Sequence, residues 1–193
     1  MKEVVFTYGR FNPPTRGHEM MIQKMKDLGK DTLVVVSHTQ NKKKNPLNPS
    51  EKIMVLKKMF PRDIMFDQSS KDRQLVSIIR ELKDRYHNLT MVVGSNRLDS
   101  FIRAFKDVNK FIVAGDDRTN NETNISGIKA TFARNAAMKG QKNRFKSLMS
   151  NKLDNDDLDR IAKSIHDILS ETTKRVRKVI ENTGEKKRKT LKK

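Results

Sequence analysis

At 193 residues the chain has room for one ordinary domain with a small appendage. It contains no cysteine, which excludes disulfides, thiolate metal sites and cysteine nucleophiles, and its 35% hydrophobic and 34% charged residues describe a folded body with polar extremities. The formal net charge of +19 makes a polyanion, whether nucleotide or nucleic acid, the expected partner by Coulomb attraction.

The N-terminus offers no long apolar segment for secretion or membrane spanning, so a reducing cytoplasm is the expected setting and no membrane partner is expected. Residues 4–7 read as a first strand. After a Gly/Pro-rich turn, residues 19–28 place Met21, Ile22, Met25 and Leu28 on one helical face, which Gly29 ends. Residues 32–37 form a second strand, apolar inside, as suits a parallel strand covered on both faces. A basic loop, residues 38–45, leads to Asn48-Pro49-Ser50-Glu51, where an Asn cap and a first-turn proline announce a helix that Pro61 stops after Phe60. Residues 63–66 read as a short third strand, and residues 72–86 as a helix with Leu75, Ile78, Ile79 and Leu82 inward. A fourth strand follows at 91–93, a helix at 97–105 and a fifth strand at 111–114.

Beyond a loop at 116–124, a helix is expected from near Ser126 through Met138. One or two more are expected between Arg144 and Leu169, with Leu158, Ile161, Ile165 and Ile168 at helical spacing. Residues 171–193 lack the apolar content to order themselves and read as a frayed helix and a disordered tail. The alternation predicts an α/β fold, a Rossmann-like doubly wound parallel sheet of about five strands with a C-terminal helical extension. The division reads as a body at 1–140, the extension at 141–170 and the basic tail at 171–193. Ligands in such sheets bind at the carboxyl ends of the strands, which places residues 9–18, 37–44, 94–97 and 115–126 on one rim.

On that rim, Gly9-Arg10-Phe11-Asn12-Pro13-Pro14-Thr15-Arg16-Gly17-His18 is the most informative stretch, because a glycine and two prolines force an irregular strand-to-helix turn. Orphan N–H groups and the positive end of the helix welcome an anion near Gly17, and Arg10, Arg16 and His18 add donors. Taken alone, the turn also fits a structural elbow with a capping histidine. Lys42 to Lys44 suit an α-phosphate, an acceptor phosphate or a merely solvated charge run. Gly94, Asn96 and Arg97 suit a base or ribose, or a polar helix start. The pair Asp116 and Asp117 reads as turn chemistry, the face Met20, Met21 and Met25 as core, and His38, His87 and His166 lack ligand spacing, so no protein-held metal is expected.

The elbow resembles the signature Gly-x-Phe-x-Pro-x-(His or Thr)-x-Gly-His of the nucleotidylyltransferase superfamily, at Gly9, Phe11, Pro13, Thr15, Gly17 and His18. Residues 37–47, the turn Gly94-Ser95-Asn96-Arg97 and the segment Ile125-Ser126-Gly127-Ile128-Lys129-Ala130 extend the resemblance to about residue 170. They are similar to corresponding segments of small phage-encoded cytidylyltransferase-like and nicotinamide-nucleotide adenylyltransferase-like proteins. The resemblance implies transfer of a nucleoside monophosphate from ATP or CTP to a small phosphorylated acceptor. Mg2+-pyrophosphate leaves, no protein nucleophile is needed, and the setting is the host cytoplasm or a virion if the chain is phage-encoded. It implies that Thr15 and His18 meet the triphosphate, with Ser126 and its helix N-terminus on the outer phosphates. Lys42 and Arg134 complete the expected catalytic set; Gly9, Arg10, Phe11, Asn12, Gly17, Gly94, Asn96, Arg97, Ser126 and Lys129 form the expected nucleotide-binding set.

Three positions depart from the family pattern: Ile128 stands for threonine, Thr131 for arginine and Asn96 for aspartate. Arg134, one turn beyond Thr131, and Lys129 are the expected substitutes on the phosphates. The alternative is a weakened enzyme, a nucleic-acid-binding or virion-associated structural protein on the same fold. From Lys174 to Lys193 there are ten Lys/Arg and two Glu, which reads as an arm attracting nucleic acid through counterion release, or else as a solubilising tail.

Overall fold

The computed structural model of the chain describes residues 2–41, 44–62, 64–70, 73–114 and 128–190, and only the backbone of residues 181–190. Five strands alternate with helices: β1 (Glu3–Gly9), α1 (Arg16–Lys26), β2 (Asp31–Val36), α2 (Pro49–Met59), β3 (Met65–Gln68), α3 (Leu75–Arg85), β4 (Asn88–Val93), α4 (Leu98–Ala104) and β5 (Lys110–Val113). A 3₁₀ turn, Ser95–Arg97, joins β4 to α4, and α5 (Ala130–Met138), α6 (Lys142–Leu148) and α7 (Asn155–Thr190) follow. All pairings are parallel, in the order β3-β2-β1-β4-β5. The order reverses between β1 and β4, so a crevice opens beyond Gly9 and Val93, where α/β sheets take their ligands.

Strand period two decides which helices cover which face. Val34 and Val36 of β2 join a cluster with Ile22, Val55, Leu56, Met59, Ala133, Phe145, Ile161 and Ile165. Leu33 and Val35, with Val4 and Phe6 of β1, turn to Leu75, Ile78, Ile79 and Leu82 of α3 on the other face. Burial of these side chains stabilises each by about 1.5–3 kcal/mol relative to exposure. The residues of 141–170 are not a separate layer, since Phe145, Leu148, Met149, Leu153, Leu158, Ile161, Ile165 and Leu169 share the cluster that contains Ile22 and Val36.

Several boundaries differ from the sequence expectation. Helix α1 starts at Arg16 rather than 19, because Thr15 takes the extended N-cap conformation (φ −124°, ψ 173°) and His18 completes the first turn. Leu28 is 46% exposed, lying past the C-cap Asp27 and so off the inward face. Strand β3 lies at Met65–Gln68, two residues later than expected, where Leu33 to Val36 provide its partners. Helix α3 begins only after the N-cap Gln74. The helix placed from Ser126 is described from Ala130, and Ser126 itself lies outside the described residues.

The largest difference is at the end, where a frayed helix and then a disordered tail were expected from residue 171 and the helix instead continues as far as Thr190. A helix whose first half is packed propagates at little cost through Lys, Arg and Glu, and Arg175 pairs with Glu171 one turn back. Among the described residues no helix is long and apolar enough to cross a membrane.

Candidate functional site

The elbow between β1 and α1 is built by packing around one ring. Phe11 is 2% exposed and takes φ 45°, a left-handed conformation rare for a bulky residue. Its ring lies so close to Gly9 that a Cβ there would meet Cε2 at 2.8 Å, so position 9 has no space for a side chain. Asn12 is 1% exposed; its Nδ2 donates to the Leu47 carbonyl (2.8 Å) and its Oδ1 accepts from the Leu47 N–H (3.1 Å). Both ends of that amide are therefore used in holding the elbow to the lead-in of α2. The residue also lines the cleft, as the sequence reading expected of a member of the nucleotide-binding set.

At the start of α1, the Thr15 N–H donates to His18 Nδ1 (3.1 Å), so the imidazole fills the capping-box place more often held by Glu or Gln. The Thr15 hydroxyl lies 2.9 Å from the same Nδ1 and 3.4 Å from the Ile128 carbonyl. Thr15 is 0% exposed and does not line the cleft, so its contact with the cleft runs through His18. With Nδ1 occupied as an acceptor, the neutral ring carries its proton on Nε2. Burial pushes the imidazole down to about 4, so it is a neutral N–H donor at neutral pH. The Phe11 ring packs against it at 4.9 Å between centroids.

Around this elbow lies a cleft of about 580 Å³, bounded by the ends of β1, β4 and β5 and by α1 and α5. Arg10, His18, Lys24, Arg97, Lys129 and Arg134 line it, and no carboxylate does so among the described residues. Glu19, the acid in the first turn of α1, pairs instead with Lys152 (3.1 Å). The N-terminus of α1 and this cation set together make the cleft strongly positive, an environment that favours an anion. The rest of the wall is apolar, from Met20, Met21 and Leu28 on one side to Phe101, Ile112 and Val113 on the other. Among the described residues no three His, Cys, Asp or Glu are grouped to hold a metal ion.

Arg134 reaches from α5 across to the elbow, its Nη1 donating to the Asn12 carbonyl and its Nη2 to Thr131 Oγ1 (3.0 Å). Burial, and then the nearby Arg10 charge, lower its pKa from the ordinary guanidinium value. Ile128, where the family pattern has threonine, is 7% exposed and belongs to the core cluster with Phe11, while its carbonyl faces Thr15.

Of the residues expected from sequence, Gly9, Arg10, Phe11, Asn12, Gly17, His18, Gly94, Asn96, Arg97, Lys129 and Arg134 all line this one cleft. Lys42 and Ser126 lie outside the described residues. Sequence reading missed Lys24, a lone lysine on a helix with no pattern to mark it, and the wall role of Met20 and Met21, assigned to core alone. It also missed Lys52, which is 0% exposed with Nζ on the Ser37 carbonyl at 2.7 Å.

Solved structures with this fold include the nicotinic acid mononucleotide adenylyltransferase of Plasmodium falciparum complexed with NaAD. It is 16% identical, covers 84% of this chain and 96% of its own, and gives a TM-score of 0.62. The bifunctional NMN adenylyltransferase/ADP ribose pyrophosphatase of Francisella tularensis, complexed with AMP and a Mn ion, is 18% identical with a TM-score of 0.58. It covers 100% of this chain, which spans 57% of that longer protein. At such identities the likeness is one of fold. No curated protein sequence matches the chain significantly. The family model described as Cytidylyltransferase-like matches residues 6–137, from β1 through nearly all of α5 and across every strand of the cleft, and the chain belongs to that family.

Proposed function

We propose that the protein is a nucleotidylyltransferase that moves a nucleoside monophosphate from ATP or CTP to a small phosphorylated acceptor and releases pyrophosphate. The observation that carries this reading is the neutral His18 imidazole, fixed by the Thr15 N–H, in a cleft lined by cations and by no described carboxylate. An acceptor phosphate oxygen attacks the α-phosphorus in line, forming one P–O bond as the bond to the β-phosphate breaks. His18 Nε2–H, the α1 N-terminus, Arg10, Lys129 and Arg134 face the charge that gathers on the departing pyrophosphate. Mg2+ would accompany the triphosphate as its counter-ion and supply charge neutralisation there. Arg134 replaces the guanidinium that Thr131 lacks, and this argues against the alternative of a purely structural protein. The basic residues from Lys174 onward are assigned attraction to nucleic acid, with binding that weakens steeply as salt rises.

The test is pyrophosphate release with Mg2+ and ATP or CTP, across acceptors that include nicotinic acid mononucleotide, nicotinamide mononucleotide and phosphorylated alcohols. His18→Ala is expected to lower turnover by about 10²- to 10³-fold, the scale for removal of one preorganised donor. Arg134→Met removes a charged hydrogen bond of about 1.5–3 kcal/mol, equivalent to about 10- to 100-fold. Failure of both triphosphates to bind in calorimetry with Mg2+ present would overturn the reading.

A further inference from the structure

Lys52, in the first turns of α2, is the one lysine among the described residues that is completely enclosed. Enclosing an ammonium is unfavourable, and a methionine would fill similar space without that penalty. Burial lowers its pKa to about 8, so it remains mostly charged at neutral pH. The group it holds is the peptide joining Ser37 to His38, where β2 leaves the sheet. Lys52 Nζ donates to the carbonyl of that peptide (2.7 Å), and its N–H, that of His38, donates to Ser69 Oγ (3.1 Å). The preceding N–H, of Ser37, donates to the Gly9 carbonyl at 2.8 Å, which is the first residue of the elbow. The lead-in of the same helix grips the elbow a second time, through Leu47 and Asn12. Two independent ties therefore run from α2 to the turn that carries His18, and one of them ends in a buried charge.

We propose that Lys52 is a positioning residue for nucleotidyl transfer: acting through the Ser37 peptide, it fixes the end of β2 against Gly9 and so sets where the elbow presents His18 to the triphosphate. This rests on the transferase reading above. Alignment of the elbow matters most where the reacting geometry is strictest, so loosening it lowers turnover more than it weakens nucleotide binding.

The experiment uses the full chain with Lys52→Met and, separately, Ser69→Ala, which removes the acceptor at the other end of the same peptide. For each, kcat, KM, the calorimetric Kd for Mg-ATP or Mg-CTP and the thermal midpoint are measured. Lys52→Met is expected to fold, to lose about tenfold or more in kcat and to keep Kd within about threefold, with Ser69→Ala moving smaller in the same direction. Unchanged kcat in Lys52→Met overturns the proposal. A parallel loss of kcat, nucleotide affinity and thermal midpoint also overturns it, because that is the pattern of a structural lysine. If Lys52→Met does not fold, Ser69→Ala decides, with reduced kcat at constant Kd supporting the role and unchanged kcat ending it. Wild-type turnover in the same assay separates the two claims: none with any acceptor removes the transferase reading and this role together, whereas wild-type turnover with unaffected variants removes only Lys52.

Discussion

Gly9→Ala adds one methyl group at the point where the elbow is tightest. The new Cβ would stand 2.8 Å from Phe11 Cε2 and 3.1 Å from Cζ, whereas ordinary contact begins at 3.4 Å. The ring has little room to retreat, being 2% exposed and packed in the cluster of Ile22, Val34, Val36 and Leu47. Overpacking of this kind costs about 1–3 kcal/mol. For a chain of this size each kcal/mol lowers the midpoint by about 2–4 °C, so a loss of about 4–8 °C is expected for the middle of that range. Phe11 in turn packs on His18, 4.9 Å away, so the displaced ring carries the imidazole with it. A misplacement approaching ~1 Å lowers turnover by up to about 10²-fold, and kcat should fall by more than the modest loss of stability alone would cause. Differential scanning calorimetry and pyrophosphate release on the purified variant check both parts. A variant that melts within about 1 °C of wild type and keeps kcat within about twofold would refute the reasoning, since the backbone would then have absorbed the methyl group without moving His18.

Asn12→Ala leaves the Leu47 N–H and carbonyl without partners in a buried place, and denaturant unfolding should show a loss of about 1–3 kcal/mol. Asn12→Asp restores only the acceptor and should recover part of that loss. The His18 imidazole, held at about 4 when folded against 6.5 when free, makes stability depend on pH. Between those values the unfolded chain binds a proton that the folded chain refuses, so stability is full above pH 6.5 and declines as pH falls toward 4. Urea midpoints measured across that window should fall more steeply for wild type than for His18→Asn, and superimposable profiles would contradict the half-buried neutral ring.

Local pattern alone was enough to predict the sheet and the crevice at its carboxyl rim. Apolar residues at 33–36 marked a covered parallel strand, and the alternation of strands and helices indicated a doubly wound sheet with the elbow on the carboxyl rim. A glycine and two prolines marked the irregular turn, and Gly9, Phe11, Gly17 and His18 could be picked out in it by their resemblance to the family signature. What each side chain does there was a matter of tertiary structure. Whether Asn12 faces a ligand or Leu47, and whether Thr15 is open or sealed beneath His18, depends on partners about 35 and 113 residues away in sequence. Lys52 carried no signal, because a lysine in an amphipathic helix is ordinarily solvated and only the end of β2 turns this one inward. The same logic explains α7: composition described a tail too polar to order itself, while the docking of its first half on the core supplied a nucleus from which the remaining turns extend.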